Sequence, residues 1–207
     1  MSPRPFLTAR WVDLLLVSWL VPDDLLRPHL PPGVELDRFD GSALASLVAF
    51  DFADLRVGGI AWPGWTDFPE LNLRFYVRAG DRRGVCFIRE YVPTRVVAGV
   101  ARLLYNEPYR RVPYRKDRAA HVLTCGGRTH RIHWERSGAL QVPSESSLEH
   151  RIKEHDLGVG RRRNGRPLAY RVEHPVWRVW PEVQATLDVD FAALYGSAWA
   201  FLGQEAP

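Results

Sequence analysis

The sequence predicts a mixed α+β protein built on an antiparallel, curved sheet with a few flanking helices. Three observations predict it. Ala43–Phe52 is apolar almost without interruption, as in a strand buried on both faces. Glu70–Arg78 (ELNLRFYVR) alternates, with Leu71, Leu73, Phe75 and Val77 on one side and Glu70, Asn72, Arg74, Tyr76 and Arg78 on the other. Helical patterns are few and short, whereas strand-like segments separated by glycine turns recur along the chain.

Trp11–Leu20 reads as the first strand, and Pro22-Asp23-Asp24 opens a short helix to about Leu26 with carboxylates at its positive end. Pro28 and Pro31-Pro32 stop that helix. After Ala43–Phe52, Leu55–Trp62 reads as a further strand and 62–69 (WPGWTDFP) as a loop. Gly80–Gly84 connects Glu70–Arg78 to a strand over Val85–Tyr91, a hairpin signal. Pro93–Tyr105 is the best helix, with Thr94 as its cap and an apolar stripe of Val96, Val97, Val100, Leu103 and Leu104. Tyr114 and His121–Cys125 begin a meander that Gly126-Gly127 turns back into Arg128–Glu135. Ser146-Ser147-Leu148-Glu149 has the pattern of a capping box and starts a second helix, expected to end between Asp156 and Gly160. Leu168–His174 and Val183–Asp190 are the last strands.

A chain of 207 residues, 46% hydrophobic and 25% charged, suits one sizeable core, and no linker or repeat divides it, so a single domain over 1–207 is expected. The formal charge is +4 and almost all of the basic residues are arginine, Lys116 and Lys153 being the only lysines. That balance tolerates an acidic ligand without demanding one. The two cysteines, Cys86 and Cys125, fit no zinc or redox spacing, which points to a reduced, cytoplasmic protein. The apolar run Trp11–Val21 is too short to cross a bilayer, which takes about 20 residues.

The order of several short motifs resembles a bacterial family, domain of unknown function 2071. They are the early Trp-rich strand, Leu30-Pro31-Pro32-Gly33 with Gly41, Glu70-Leu71-Asn72-Leu73-Arg74, Ala101-Arg102 with Pro108-Tyr109, and His174-Pro175-Val176-Trp177. The resemblance implies an acetoacetate-decarboxylase-like fold, a cone-like antiparallel β-barrel around an enclosed pocket. In the decarboxylase a lysine forms a Schiff base beside a second lysine. Aligned without gaps, those two positions hold Tyr109 and Arg110 here. Neither can supply the neutral primary amine that an imine needs. Lys116, seven residues on, is the alternative amine for a lyase or decarboxylase reading.

The resemblance makes Glu70, Arg74, Arg102, Tyr109 and Trp177 the candidate ligand-binding residues, and Glu70, Arg102, Tyr109 and Lys116 the candidates for chemistry. The expected ligand is a small acidic or carbonyl-bearing molecule, its carboxylate paired with Arg74 or Arg102. On the solvated alternative, Glu70 and Arg74 form a surface ion pair of little energetic weight. No cofactor and no metal are expected. His130 and His133 point to opposite faces of a strand, and His150 and His155 are poorly spaced on a helix. Ser144, Ser146 and Ser147 lack a nucleophile elbow, and Gly158–Gly160 lacks the context of a dinucleotide fingerprint. Arg161-Arg162-Arg163 with Arg166, and the basic run 110–118, match no nucleic-acid-reading signature, so nucleic acid is not the expected partner, and a nonenzymatic nucleic-acid or protein interaction module using these basic loops is the remaining alternative. Trp62, Trp65, Trp177 and Trp180 are candidates for pocket walls. Open sheet edges make a homodimer compatible with the pattern.

Overall fold

In a computed structural model of the chain, residues 7–104, 106, 108–117 and 120–207 are described, with the side chains of 100–104 excepted. The strands are β1 (Leu7–Val21), β2 (Glu35–Leu36), β3 (Arg38–Phe39), β4 (Ser42–Val57), β5 (Phe68–Ala79), β6 (Arg82–Val92), β7 (Tyr109–Arg111), β8 (Tyr114–Asp117), β9 (Ala120–Cys125), β10 (Arg128–Ser137), β11 (Leu157–Arg161), β12 (Pro167–Arg171) and β13 (Glu182–Asp188). The helices are α1 (Asp23–Leu26), α2 (Arg95–Leu104), α3 (Leu148–Lys153) and α4 (Phe191–Tyr195), with 3-10 turns at Arg27–His29 and Ser197–Gly203. The main sheet runs β1-β4-β5-β6-β11-β12, with β2, β3 and β7 added alongside. A second sheet runs β13-β10-β9-β8. Among the described residues the main path ends at β1 and β12 and is not closed by pairing between them.

One face of the main sheet packs toward the second sheet. Leu71, Leu73, Phe75 and Val77 of β5 join Ala45, Leu47 and Ala49 of β4 in the largest core cluster, with Tyr114, Leu123 and Ile132 from β8, β9 and β10. α4 adds Phe191 and Leu194. Each of these aliphatic side chains is almost free of solvent, and truncation of one such as Leu73 costs about 2–5 kcal/mol. The opposite face carries a smaller cluster in which Leu44, Tyr76 and Val85 pack against Ile152 of α3. β5 is therefore covered on both sides.

Several boundaries differ from the sequence reading for identifiable reasons. The segment 55–57 continues β4, and no separate strand forms over 55–62. β6 begins at Arg82, because Ala79 pairs with Arg82 across a two-residue turn at Gly80-Asp81. Pro28 lies inside a 3-10 turn that extends α1 and does not end it. α3 stops at Lys153, and Gly158–Gly160 lie in β11. Ser147 is the true cap, accepting from the His150 amide at 3.2 Å. Thr94 caps α2 through the Val97 amide at 3.3 Å. α4, capped by Asp190, was not anticipated.

Candidate functional site

The alternating strand β5 sends Glu70, Asn72, Arg74 and Tyr76 to the face opposite the main core, and all four are buried. The solvated-strand alternative is thereby overturned for these residues; only Arg78, at the end of the series, is exposed. Glu70 is 2% exposed. Its Oε1 accepts from Asn72 Nδ2 at 3.1 Å, and its Oε2 accepts from the Tyr109 hydroxyl at 3.0 Å. A second buried carboxyl, Glu90, hydrogen-bonds Glu70. The register explains this convergence: Glu90 of β6 stands opposite Asn72 on one side and beside Tyr109 of β7 on the other.

Burial is the dominant influence on Glu70 and disfavours its charge. The hydrogen bonds from Asn72, Tyr109 and Glu90 only partly offset it, and the carboxyl is pushed up to about 7. The Tyr109 hydroxyl is pushed well above its ordinary range by burial, then by the carboxyls of Glu70 and Glu90. It stays protonated and acts as a donor.

Arg74 makes no ion pair with Glu70, which the solvated alternative would have required. Its Nη2 donates to the Ile152 carbonyl at 3.2 Å, and its guanidinium lies 5.8 Å from the Tyr76 ring centroid. Its Nε has no acceptor among the described residues, and neither does Asn72 Oδ1 have a donor. Beside Arg74 lies His155, 8% exposed and packed against Tyr76 at 5.0 Å between centroids. Neither of its ring nitrogens reaches hydrogen-bond geometry, although the Ile152 carbonyl lies nearby. Burial, then the charges of Arg74 and Arg83, lower its pKa to about 3, so it is neutral. In contrast, Tyr76 is satisfied: its hydroxyl and Ser46 Oγ are 2.6 Å apart, and Ser46 meets Ser18 at 2.7 Å.

His155 also lines a cleft of about 450 Å³ shared with Glu154, Asp156, Arg171 and His174. A larger cleft of about 760 Å³ lies elsewhere, between the end of β1, α1 and Phe201, and none of the site residues lines it. Trp177 stacks on His174 at 4.2 Å and meets Trp11 at 5.4 Å, and Trp11 packs on Phe50, which pairs with Glu70. Its amide donates to Glu154 Oε1 at 3.1 Å, and Glu154 also accepts from the buried Lys153. Trp62 and Trp65 stack on each other in the loop before β5, and Trp180 packs under Arg136, so these three do not join the site.

Lys116 is placed apart from this cluster. Its ammonium bonds Asp13 at 2.8 Å and also Asp51. Asp51 follows Phe50 on β4, so it points to the opposite face of the sheet from Glu70. Asp13, in a left-handed conformation at a bulge in β1, is re-aimed toward Lys116. Burial opposes the ammonium, but the two carboxylates outweigh it and hold the Lys116 pKa above the ordinary value. A proton-saturated lysine is a poor imine nucleophile. The Arg102 side chain falls outside the described residues; its backbone lies in the last turns of α2. Arg110 is exposed.

Residues 8–207 match the pattern of DUF2071, described as an uncharacterized conserved protein. The chain belongs to the DUF2071 family. Over 100 residues it is 35% identical to the uncharacterized protein YqjF of Bacillus subtilis (strain 168), a match covering 48% of this chain and 41% of YqjF. The chain thus matches less than half the length of that curated relative. Among solved structures, acetoacetate decarboxylase from Legionella pneumophila superposes with a TM-score of 0.59 at 15% identity, covering 86% of this chain and 73% of that one. The enduracididine biosynthesis enzyme MppR complexed with pyruvate gives 0.60 at 14% identity over 94% and 79% of the two chains. These likenesses show an acetoacetate-decarboxylase-like fold for this DUF2071 member.

Glu90 joins the site without having been singled out from the sequence, whereas Asn72 was read only as one of the polar-face residues of β5 and His155 only as a poorly spaced metal ligand. Both cysteines are buried and neither is in a disulfide, and Cys86 Sγ donates to the Val159 carbonyl at 2.9 Å. No group of metal-ligating side chains gathers among the described residues, and no described helix is long and apolar enough to cross a membrane.

Proposed function

We propose that this DUF2071 protein binds a small carboxylate- or carbonyl-bearing molecule on the buried polar face of β5. The observation that carries the reading is Arg74. Its guanidinium is 6% exposed, pairs with no carboxylate among the described residues, and leaves Nε without an acceptor. A buried cation in that state calls for an anionic or carbonyl oxygen. Glu70 stands two alternate positions along the same face, about 13 Å away by strand rise. With its pKa near 7, it suits proton exchange with a bound carbonyl, and Tyr109 holds a proton beside it. MppR, whose fold is similar, is complexed with pyruvate, a small molecule of this chemical type.

Lys116 supports no second reading as a lyase, since two carboxylates hold its proton on the far side of the sheet. Titration calorimetry with a panel of small carboxylates, on the native protein and on Arg74→Met, tests the proposal. At least one carboxylate is expected to bind, with a loss of 100-fold or so in the variant, as for removal of a buried charged hydrogen-bond partner. Binding that is indifferent to Arg74, or no binding by any carboxylate, would overturn it. Borohydride treatment in the presence of β-keto acids is expected to leave Lys116 unmodified; an adduct there would restore the imine route.

A further inference from the structure

Two polar atoms of opposite character are left unmet side by side on β5. Asn72 and Arg74 are consecutive inward residues, so their Cα atoms lie about 7 Å apart. Asn72 spends its Nδ2 on Glu70, which fixes Oδ1 as an acceptor, and that acceptor has no donor among the described residues. Arg74 Nε is a donor with no acceptor. Both side chains are more than nine-tenths buried, at 3% and 6% exposure. An unmet buried polar group costs about 1–3 kcal/mol, so a partner for each is worth supplying.

The surroundings specify what each partner must be. Around Asn72 Oδ1 are the carboxyls of Glu70 and Glu90, so this end is rich in acceptors. The nearby Tyr109 hydroxyl is already committed to Glu70. A hydrogen-bond donor with positive charge suits it, and an ammonium group offers three donors and no acceptor. Around Arg74 Nε the charge is positive and His155 adds a neutral ring with unmet nitrogens. An anionic acceptor suits that end. A simple carboxylate would satisfy only the Arg74 end, and a simple amine only the Asn72 end. The cleft at Glu154, Asp156, Arg171 and His174, which His155 lines, likewise presents both signs of charge.

We propose that the ligand is a zwitterion of the amino-acid class, its ammonium group set among Asn72, Glu70 and Glu90 and its carboxylate on Arg74. This rests on the small-carboxylate reading above and adds the second half of the ligand to it.

The test compares ligands of matched length on the native protein first, then on Arg74→Met and Asn72→Leu. Glycine, 4-aminobutyrate and 6-aminohexanoate are titrated by calorimetry beside acetate, butyrate, hexanoate, hydroxy acids of the same lengths, and ethylamine, butylamine and hexylamine. One amino acid is expected to bind about 10-fold or more tightly than the carboxylate, the hydroxy acid and the amine of its length. In Asn72→Leu that advantage is expected to fall to about 2-fold or less. If carboxylates bind through Arg74 and the amine adds nothing, or a hydroxyl does as well, the zwitterion is wrong and the small-carboxylate reading stands. If no member binds through Arg74, both fall.

Discussion

Replacing Glu70 by glutamine should change how stability depends on pH, and the size of the change follows from the carboxyl's surroundings. An ordinary glutamate releases its proton near 4.5, whereas burial among Asn72, Tyr109 and Glu90 raises Glu70 to about 7. Below 4.5 the folded and unfolded chains both carry the proton, and above 7 neither does. Between those values the folded chain holds a proton that the unfolded chain has released, so stability is lost as pH rises through this window. A rise from 4.5 to about 7 corresponds to about 3 kcal/mol. Glutamine has no such proton, so the stability of Glu70→Gln relative to the native protein should climb by up to about 3 kcal/mol between pH 4.5 and pH 8. His121 and His155, lowered to about 4 and about 3, act in the opposite sense: their contribution is lost as pH falls below 6.5. They are common to both proteins and cancel in the comparison. Because Glu90 is hydrogen-bonded to Glu70, the two carboxyls titrate as a pair, and Glu90→Gln is the companion variant. Urea unfolding followed by tryptophan fluorescence across this pH range measures the difference. A difference flat to within about 0.5 kcal/mol in both variants would refute the claim that this face keeps a carboxyl protonated near neutrality.

Three other perturbations probe the surroundings. In Gly158→Ala the new Cβ would lie 2.2 Å from the Tyr170 ring, so β11 and β12 must part or the ring must move, at a cost of about 1–3 kcal/mol; an unchanged melting temperature would contradict that packing. His155→Phe keeps the ring against Tyr76 and removes two unmet nitrogens, so it should stabilise the protein by about 1 kcal/mol at neutral pH and by more below pH 6.5, where the native histidine must charge on unfolding; calorimetric melts at neutral and acid pH would expose a loss instead. Lys116→Met leaves Asp13 without its nearer ammonium, so the Asp13 carboxyl should titrate higher by NMR and stability should fall by about 1 kcal/mol, while ligand binding at Arg74 is unaffected.

The fold was legible where residues announce their own periodicity. The β5 alternation, the apolar β4, the Thr94 cap and the Gly126-Gly127 turn all read directly from the chain. The site was legible in β5 and, through the family resemblance, at Tyr109, whose hydroxyl meets Glu70. Glu90 escaped because the hairpin was read with a loop over Gly80–Gly84. The real turn is two residues, and with the shift at Leu73/Arg74 it sets Glu90 opposite Asn72. Register depends on loop length, and a slip of this kind moves every cross-strand partner. His155 escaped because α3 was expected to run past it. The helix ends at Lys153, and His155 lies in the short connection to β11. Lys116 misled for a different reason: proximity in sequence to Tyr109 carries no information about which face of a sheet a side chain takes.

The polar character of this face calls for an explanation that packing does not supply. Apolar residues of similar volume at Glu70, Asn72 and Arg74 would bury as well and would leave no polar atom unmet; exchanges of that kind are often neutral or stabilising. The same strand contains its own control. Tyr76 is as deeply buried, yet its hydroxyl is answered by Ser46, and Ser46 by Ser18. Two steps toward the start of β5 the answers stop, at Arg74 Nε and Asn72 Oδ1. His155, packed on the Tyr76 ring, also leaves both ring nitrogens unmet, so the incomplete stretch runs from Asn72 through Arg74 to His155. On the proposed reading, the small ligand would meet these atoms of Asn72, Arg74 and His155.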